Sequence, residues 1–98
     1  MTVRLVLYVA GDTPRSRSAR ATLQWLRDGV RERMEAEVVD VTESPERAEA
    51  ARVLLTPTLV REEPLPQRRV VGDLGATARV AEALGLTCAP RPPTEQHP

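Results

Sequence analysis

Apolar residues fill almost every position from Val3 to Ala10. Such a run fits a strand covered on both faces, at the centre of an α/β sheet, better than a one-sided edge strand. Gly11-Asp12-Thr13 interrupts it, and Thr13 is then placed to cap a helix whose first position, Pro14, needs no N–H partner. Ala19, Leu23, Leu26 and Val30 recur at four-, three- and four-residue spacing and make one apolar stripe. Arg15, Arg17, Arg20, Arg27 and Arg31 fall mostly outside that stripe. The pattern predicts a helix to about Met34, weakened by Gly29 by roughly 1 kcal/mol relative to alanine.

A second strand is predicted at Glu37-Val38-Val39-Asp40-Val41, parallel to the first because a helix joins them. Ser44-Pro45 repeats the helix-start device, and Ala48, Ala51 and Leu55 give the second helix a narrow face of mostly small residues. Thr56-Pro57 precedes a third strand, Thr58 to Glu62. The turn Glu63-Pro64-Leu65-Pro66 leads to a fourth, Gln67 to Val71, and the two form an antiparallel hairpin. Asp73 is expected to cap a third helix with Ala76, Val80 and Leu84 inward and Gly85 as its stop. The predicted order is β-α-β-α-β-β-α in one domain, residues 1–86, followed by a Pro-rich segment, 87–98, expected to be a disordered tail.

Composition narrows the chemistry. With no Phe, one Tyr and one Trp in 98 residues, the core must be built from Val, Leu and Ala. All 14 basic residues are Arg and balance 14 acids; a GC-rich genome accounts for the missing Lys without a functional reason. Residues 1–34 hold seven Arg against three acids, and residues 35–63 hold three Arg against eight acids. That asymmetry suggests self-complementary association, a homo-oligomer, or a polarised partner surface. Zero net charge and few aromatics argue against nucleic acid. The single cysteine, Cys88, excludes an internal disulfide and any CxxC metal or redox site. No signal peptide is visible, and no apolar run approaches the ~20 residues that cross a bilayer, so no membrane role and a cytoplasmic location are expected.

The element order, with a proline opening the third strand, resembles the thioredoxin-like fold, an α/β fold on a four-stranded mixed sheet. In that fold the proline is characteristically cis, so Pro57 is predicted to follow a cis bond. The redox motif of such enzymes sits where the first strand turns into the first helix, where the helix N-terminus stabilises a thiolate. Here that place is Thr13-Pro14-Arg15-Ser16: hydroxyls stand at both thiol positions of a C-P-x-C spacing. Disulfide exchange there is excluded. A serine nucleophile would need a base, and the one imidazole, His97, lies in the expected tail.

Other residues carry two readings each. Asp40 is a strand-end acid or a catalytic one, the former preferred. Arg68 and Arg69 could clamp a carboxylate or phosphate, or protect an edge strand. Trp25, beside the apolar stripe, is a core-edge residue or an interface anchor. Cys88 is read as inert. No metal cluster, phosphate loop or cofactor site is visible.

Several stretches together are similar to KaiB proteins. Tyr8-Val9-Ala10-Gly11-Asp12-Thr13-Pro14-Arg15-Ser16 resembles Y-V-A-G-N-T-P-N-S, and Val39-Asp40-Val41 with Ser44-Pro45 resembles I-D-V-x-x-x-P. Leu55-Thr56-Pro57-Thr58-Leu59 resembles A-T-P-T-L, and Pro64 to Leu74 resembles P-P-P-V-R-R-I-I-G-D-L. The resemblance spans roughly residues 3–84. It implies a non-enzymatic clock or clock-like regulator that binds a KaiC-type ATPase, with KaiA-like or histidine-kinase proteins as further partners. It also implies a family that switches between a tetrameric ground-state fold and a monomeric thioredoxin-like one. Arg52 and Arg69 fall where cyanobacterial members carry basic partner contacts, whereas Ser18 and Glu37 replace others. With Arg68 and Trp25 these make the candidate partner-binding residues. Two alternatives stay open: a thioredoxin-class thiol or glutathione enzyme, disfavoured by Thr13 and Ser16, and a stand-alone relative of a clock-kinase sensor domain.

Overall fold

The first strand, β1 (Thr2–Val9), sits inside the sheet and is flanked on both sides. This computed structural model describes residues 2–88. The other elements are α1 (Pro14–Gly29), β2 (Arg33–Asp40), α2 (Pro45–Ala50), β3 (Thr58–Glu63), β4 (Arg68–Val71) and α3 (Thr77–Ala83). The sheet order is β2-β1-β3-β4. β1 runs parallel to β2 (Leu5 opposite Ala36) and antiparallel to β3 (Leu7 opposite Leu59), and β3 pairs antiparallel with β4 (Val60 opposite Arg69). This is the mixed sheet expected of a thioredoxin-like fold.

Alternation along β1 feeds two cores. Val3, Leu5, Leu7 and Val9 meet Ala19, Leu23 and Leu26 of α1, Leu59 of β3, and Val80, Ala81 and Leu84 of α3. Val6 and Tyr8 meet Val39 and Val60 on the opposite face, where Ala51 and Val53 pack against them. A strand apolar on both faces is therefore fully covered, as its sequence demands.

Three boundaries differ from the pattern-based expectation. α1 stops at Gly29, with Val30 already extended, and β2 begins at Arg33 rather than Glu37. Met34, where the helix is expected to end, pairs instead with Val3, the nearby Ala36 pairs with Leu5, and both pack on the larger core. The sheet register overrides helical periodicity there. Asp73 does not cap α3: its carboxylate accepts from the Gly75 amide at 2.9 Å, the N-cap is Ala76, which is exposed, and Ala81 is buried in its stead. α2 is only six residues long, Ser44 makes no side-chain cap bond, and Leu55 lies beyond it, 65% exposed rather than inward.

The expected tail does not start at Thr87. The Arg31 amide donates to the Thr87 carbonyl at 2.8 Å, Cys88 bridges Val30, and the Thr87 amide donates to the Glu32 carboxylate at 3.0 Å. Burial is the largest single influence on Glu32 and opposes its ionisation, but the hydrogen bonds from Thr87 and from its own amide, with the Arg31 charge, together outweigh it and hold the carboxyl below its usual range. Residues 89–98, with His97, lie outside the described residues. Among the described residues no helix is long and apolar enough to cross a membrane.

α3 ends as expected at Gly85, whose φ is +71°. The Gly85 amide donates to Glu82 and the Leu86 amide to Ala81, at 3.0 and 2.9 Å, which is the Schellman arrangement. A Cβ on Gly85 would stand 2.9 Å from Nη1 of the buried Arg61. Gly85→Ala should therefore destabilise the fold by more than about 1 kcal/mol. An unchanged urea midpoint would refute this.

Candidate functional site

At the rim where β1 ends, Thr13 and Ser16 bond each other reciprocally. The Ser16 amide donates to the Thr13 hydroxyl at 3.1 Å, and the Thr13 amide donates to the Ser16 hydroxyl at 3.0 Å. The Ser16 hydroxyl, 2% exposed, donates onward to the Gly11 carbonyl at 2.7 Å. Two residues that occupy thiol positions thus form a capping box that starts α1. Next to them the Thr56–Pro57 bond is cis. A groove of about 350 Å³ lies between Thr13, Pro14, Arg15 and Ser16 on one side and Thr56 and Pro57 on the other.

Among the described residues no base is bonded to the Ser16 hydroxyl, which is tied to backbone groups. Asp40, at the end of β2, accepts from the Thr42 hydroxyl and amide at 2.6 and 2.9 Å and from the Gly11 amide at 3.3 Å. The Thr42 hydroxyl, then its amide, holds this carboxyl below its usual range. Asp40 is therefore a tie between loops, the structural reading of the two. Among the described residues no group of His, Cys, Asp and Glu is placed to hold a metal.

The candidate partner-binding residues separate. Arg52 (φ +56°) ends α2, and the Arg69 guanidinium crosses from β4 to donate to the Ala51 carbonyl at 2.9 Å and the Arg52 carbonyl at 3.2 Å. Arg52 and Arg69 are thus brought together, with Arg69 satisfying the orphan carbonyls of a helix C-terminus. Arg68 lies on the other face of the sheet, opposite Arg61 and near Gly85. Trp25 is half-buried against the larger core. Leu54 and Leu55, just beyond Arg52, are 93% and 65% exposed.

Sequence reading missed Arg61. It is 7% exposed, and its guanidinium donates to the Leu84 and Pro66 carbonyls at 2.8 and 2.7 Å, while its Nε has no partner among the described residues. Strand alternation from the inward Leu59 would have placed it on the core face. Arg4 was also passed over. From β1 it reaches Glu62 at 3.1 Å, Glu37 at 3.2 Å and Glu35 at 3.8 Å, and Glu37 also pairs with Arg47. The basic first third of the chain and its acidic middle meet here. The Arg47 hydrogen bond, ahead of its charge and that of Arg4, holds Glu37 below the usual carboxylate range, and Arg47 is held above its own.

A KaiB domain family model matches residues 6–86. The chain belongs to the KaiB family. It is 45% identical over 83 residues to the circadian clock oscillator protein KaiB of Prochlorococcus marinus MIT 9313, covering 84% of this chain and 70% of that protein. It is 36% identical over 87 residues to the circadian clock protein KaiB3 of Synechocystis PCC 6803, covering 88% and 83%. Two solved structures share the fold. The N-terminal domain of Synechococcus elongatus SasA matches with a TM-score of 0.69 at 22% identity, over 87% of this chain and 85% of that one. Chloroplastic thioredoxin z matches at 0.70 and 23% identity, over 86% and 76%. The fold of this KaiB-family chain is thus thioredoxin-like, with hydroxyls tied into a helix cap at both thiol positions.

Two outcomes follow from this geometry. Ser16→Ala leaves the Thr13 amide unpaired and should cost about 1 kcal/mol or more in chemical denaturation; an unshifted midpoint counts against the cap. Glu37 has a lowered folded pKa, so its contribution is present above its usual 4.5 and lost as pH falls through the lower folded value. Glu37→Gln should reduce stability at pH 7 by up to about 1 kcal/mol, the scale of a surface ion pair. The gap from wild type should close in acid, and a gap that widens on acidification would overturn the pairing.

Proposed function

We propose that this KaiB-family protein is a non-enzymatic binding regulator that docks on a KaiC-type ATPase in the cytoplasm and modulates clock or clock-like signalling. The observation that carries it is the segment from Arg52 to Pro57. Two leucines are exposed near each other there, close to Arg52, whose carbonyl is held by Arg69 and whose side chain has no acid partner among the described residues. Adjacent exposed leucines beside an arginine form a small amphipathic docking point, and arginine is enriched among the residues that dominate binding energy. Family membership and the fold shared with the SasA N-terminal domain support the same reading. KaiA-like and histidine-kinase proteins are the further partners this proposal admits.

In this proposal Arg52 contacts the partner directly, Arg69 acts by fixing the end of α2, and Arg68 and Trp25 lie outside the contact. Fluorescence-anisotropy titration of the labelled protein against a KaiC-type ATPase, in both nucleotide states, tests it. Binding is expected in one state at least, and Leu54→Ser and Arg52→Glu should each weaken it by about tenfold. No binding in either state overturns the proposal. An insulin-reduction assay should stay at background, and turnover above it would restore the thiol-enzyme alternative.

A further inference from the structure

The face of the sheet under α2 holds a second groove, of about 450 Å³, between α2 and the β3–β4 hairpin. Tyr8 lies in its lining, below Ala50 and Ala51 of α2 and beside Val60. The ring is 2% exposed, and its hydroxyl has no hydrogen-bond partner among the described residues. Among the described residues the one fully buried side-chain polar atom without a partner is Arg61 Nε, so the Tyr8 oxygen reaches the groove and is open to a group that enters it. Glu46 and Glu62 stand at the same groove, and Glu46 makes no ion pair or hydrogen bond within the described chain.

The cations nearby are already engaged. Arg47 is bound to Glu37, Arg4 is surrounded by Glu35, Glu37 and Glu62, and Arg69 is spent on the Ala51 and Arg52 carbonyls. Burial is the first cause that raises the Tyr8 pKa, and Glu62 is the second. At the phenol, Glu62 and Glu37 together outweigh Arg47 and Arg69, so the field there favours a positive charge and keeps the hydroxyl protonated.

We propose that this groove is a socket for one basic side chain, an arginine or lysine, presented by a protein partner. Its aliphatic stem would lie on Ala50, Ala51 and Val60, in the way long cationic side chains cover apolar surface. Its charged head would donate to the Tyr8 hydroxyl where that reaches the groove, and to the Glu46 and Glu62 carboxylates. The inference rests on the reading of this chain as a binding module and names the chemistry of one contact on its α2 side.

The test uses the full chain and small probes, with no ATPase present. N-acetylarginine methylamide and N-acetyllysine methylamide are titrated into isotope-labelled protein and followed by NMR. Saturable shifts are expected at the Tyr8 ring, the Ala50 and Ala51 methyls and the Gln67 side-chain amide. Tyr8→Phe should weaken probe affinity about fivefold, and Glu46→Gln, at an exposed and unpartnered position, about twofold. The socket is overturned if no saturable shift appears at these groups, if N-acetylglutamate methylamide gives the same shifts, or if both folded variants bind as wild type does. Should Tyr8→Phe fail to fold, Glu46→Gln decides by itself. Because the ATPase is absent, failure of the socket is separate from failure of the docking proposal.

Discussion

β1 has no solvent face to spare, and the rest of the fold is arranged to cover it. Its odd-numbered residues need one apolar layer, and Val6 and Tyr8 need another. α1 and α3 supply the first, and short α2 with the segment after it supplies the second. Because β1 is flanked by a parallel β2 and an antiparallel β3, the ends of three connections gather at one rim. Polar chemistry concentrates there, since backbone groups leaving a sheet must find partners. Thr13, Ser16 and Asp40 meet that demand, and meeting it consumes the groups that would otherwise look catalytic.

The unequal weight of the two layers shapes the surface. The side under α1 and α3 is deep and aliphatic, so polar groups enter it with carbonyls to receive them: Thr22 donates to Leu74, and Arg61 to Leu84 and Pro66. The α2 side has a small cluster of four buried residues, with Val41, Ala51 and Val53 packed against it and charged side chains around it. Arg4 and Arg47 are neutralised there by carboxylates from β2 and β3, and the Tyr8 hydroxyl among them opens to the groove with no partner among the described residues. A thin layer of this sort leaves room beside a six-residue helix, and the exposed Leu54 and Leu55 continue from its end. The proposed recognition surface and the brevity of α2 have one origin.

Much of this was legible beforehand where a local rule and the global fold agree. The two-faced run of β1, the Thr13-Pro14 start of α1, the β3–β4 hairpin and the Gly85 stop were all readable, because each depends on neighbours within a few residues. Errors fell where a distant partner decided. Met34 suits the end of a helical stripe or a strand equally well, and pairing with Val3 selects the strand. Asp73 is the local exception: it has a cap residue's side chain, but the Gly75 amide, two residues away, claims it. Arg69 reads as an exposed cation until the end of α2 arrives beneath it.

From the sequence alone come the order of elements, the aliphatic core, the proline at the start of β3 and the absence of thiols where a redox motif would stand. These follow from residue type and spacing along the chain, which folding cannot change. Tertiary structure decided which charges remain available. Arg69, Arg4, Arg47 and Arg61 each find acceptors on other segments of the chain, whereas Arg52, Glu46 and the Tyr8 hydroxyl have no side-chain partner among the described residues. Charge satisfaction depends on distances of a few ångströms between strands and helices brought together by the fold, and no pattern along a single chain encodes them.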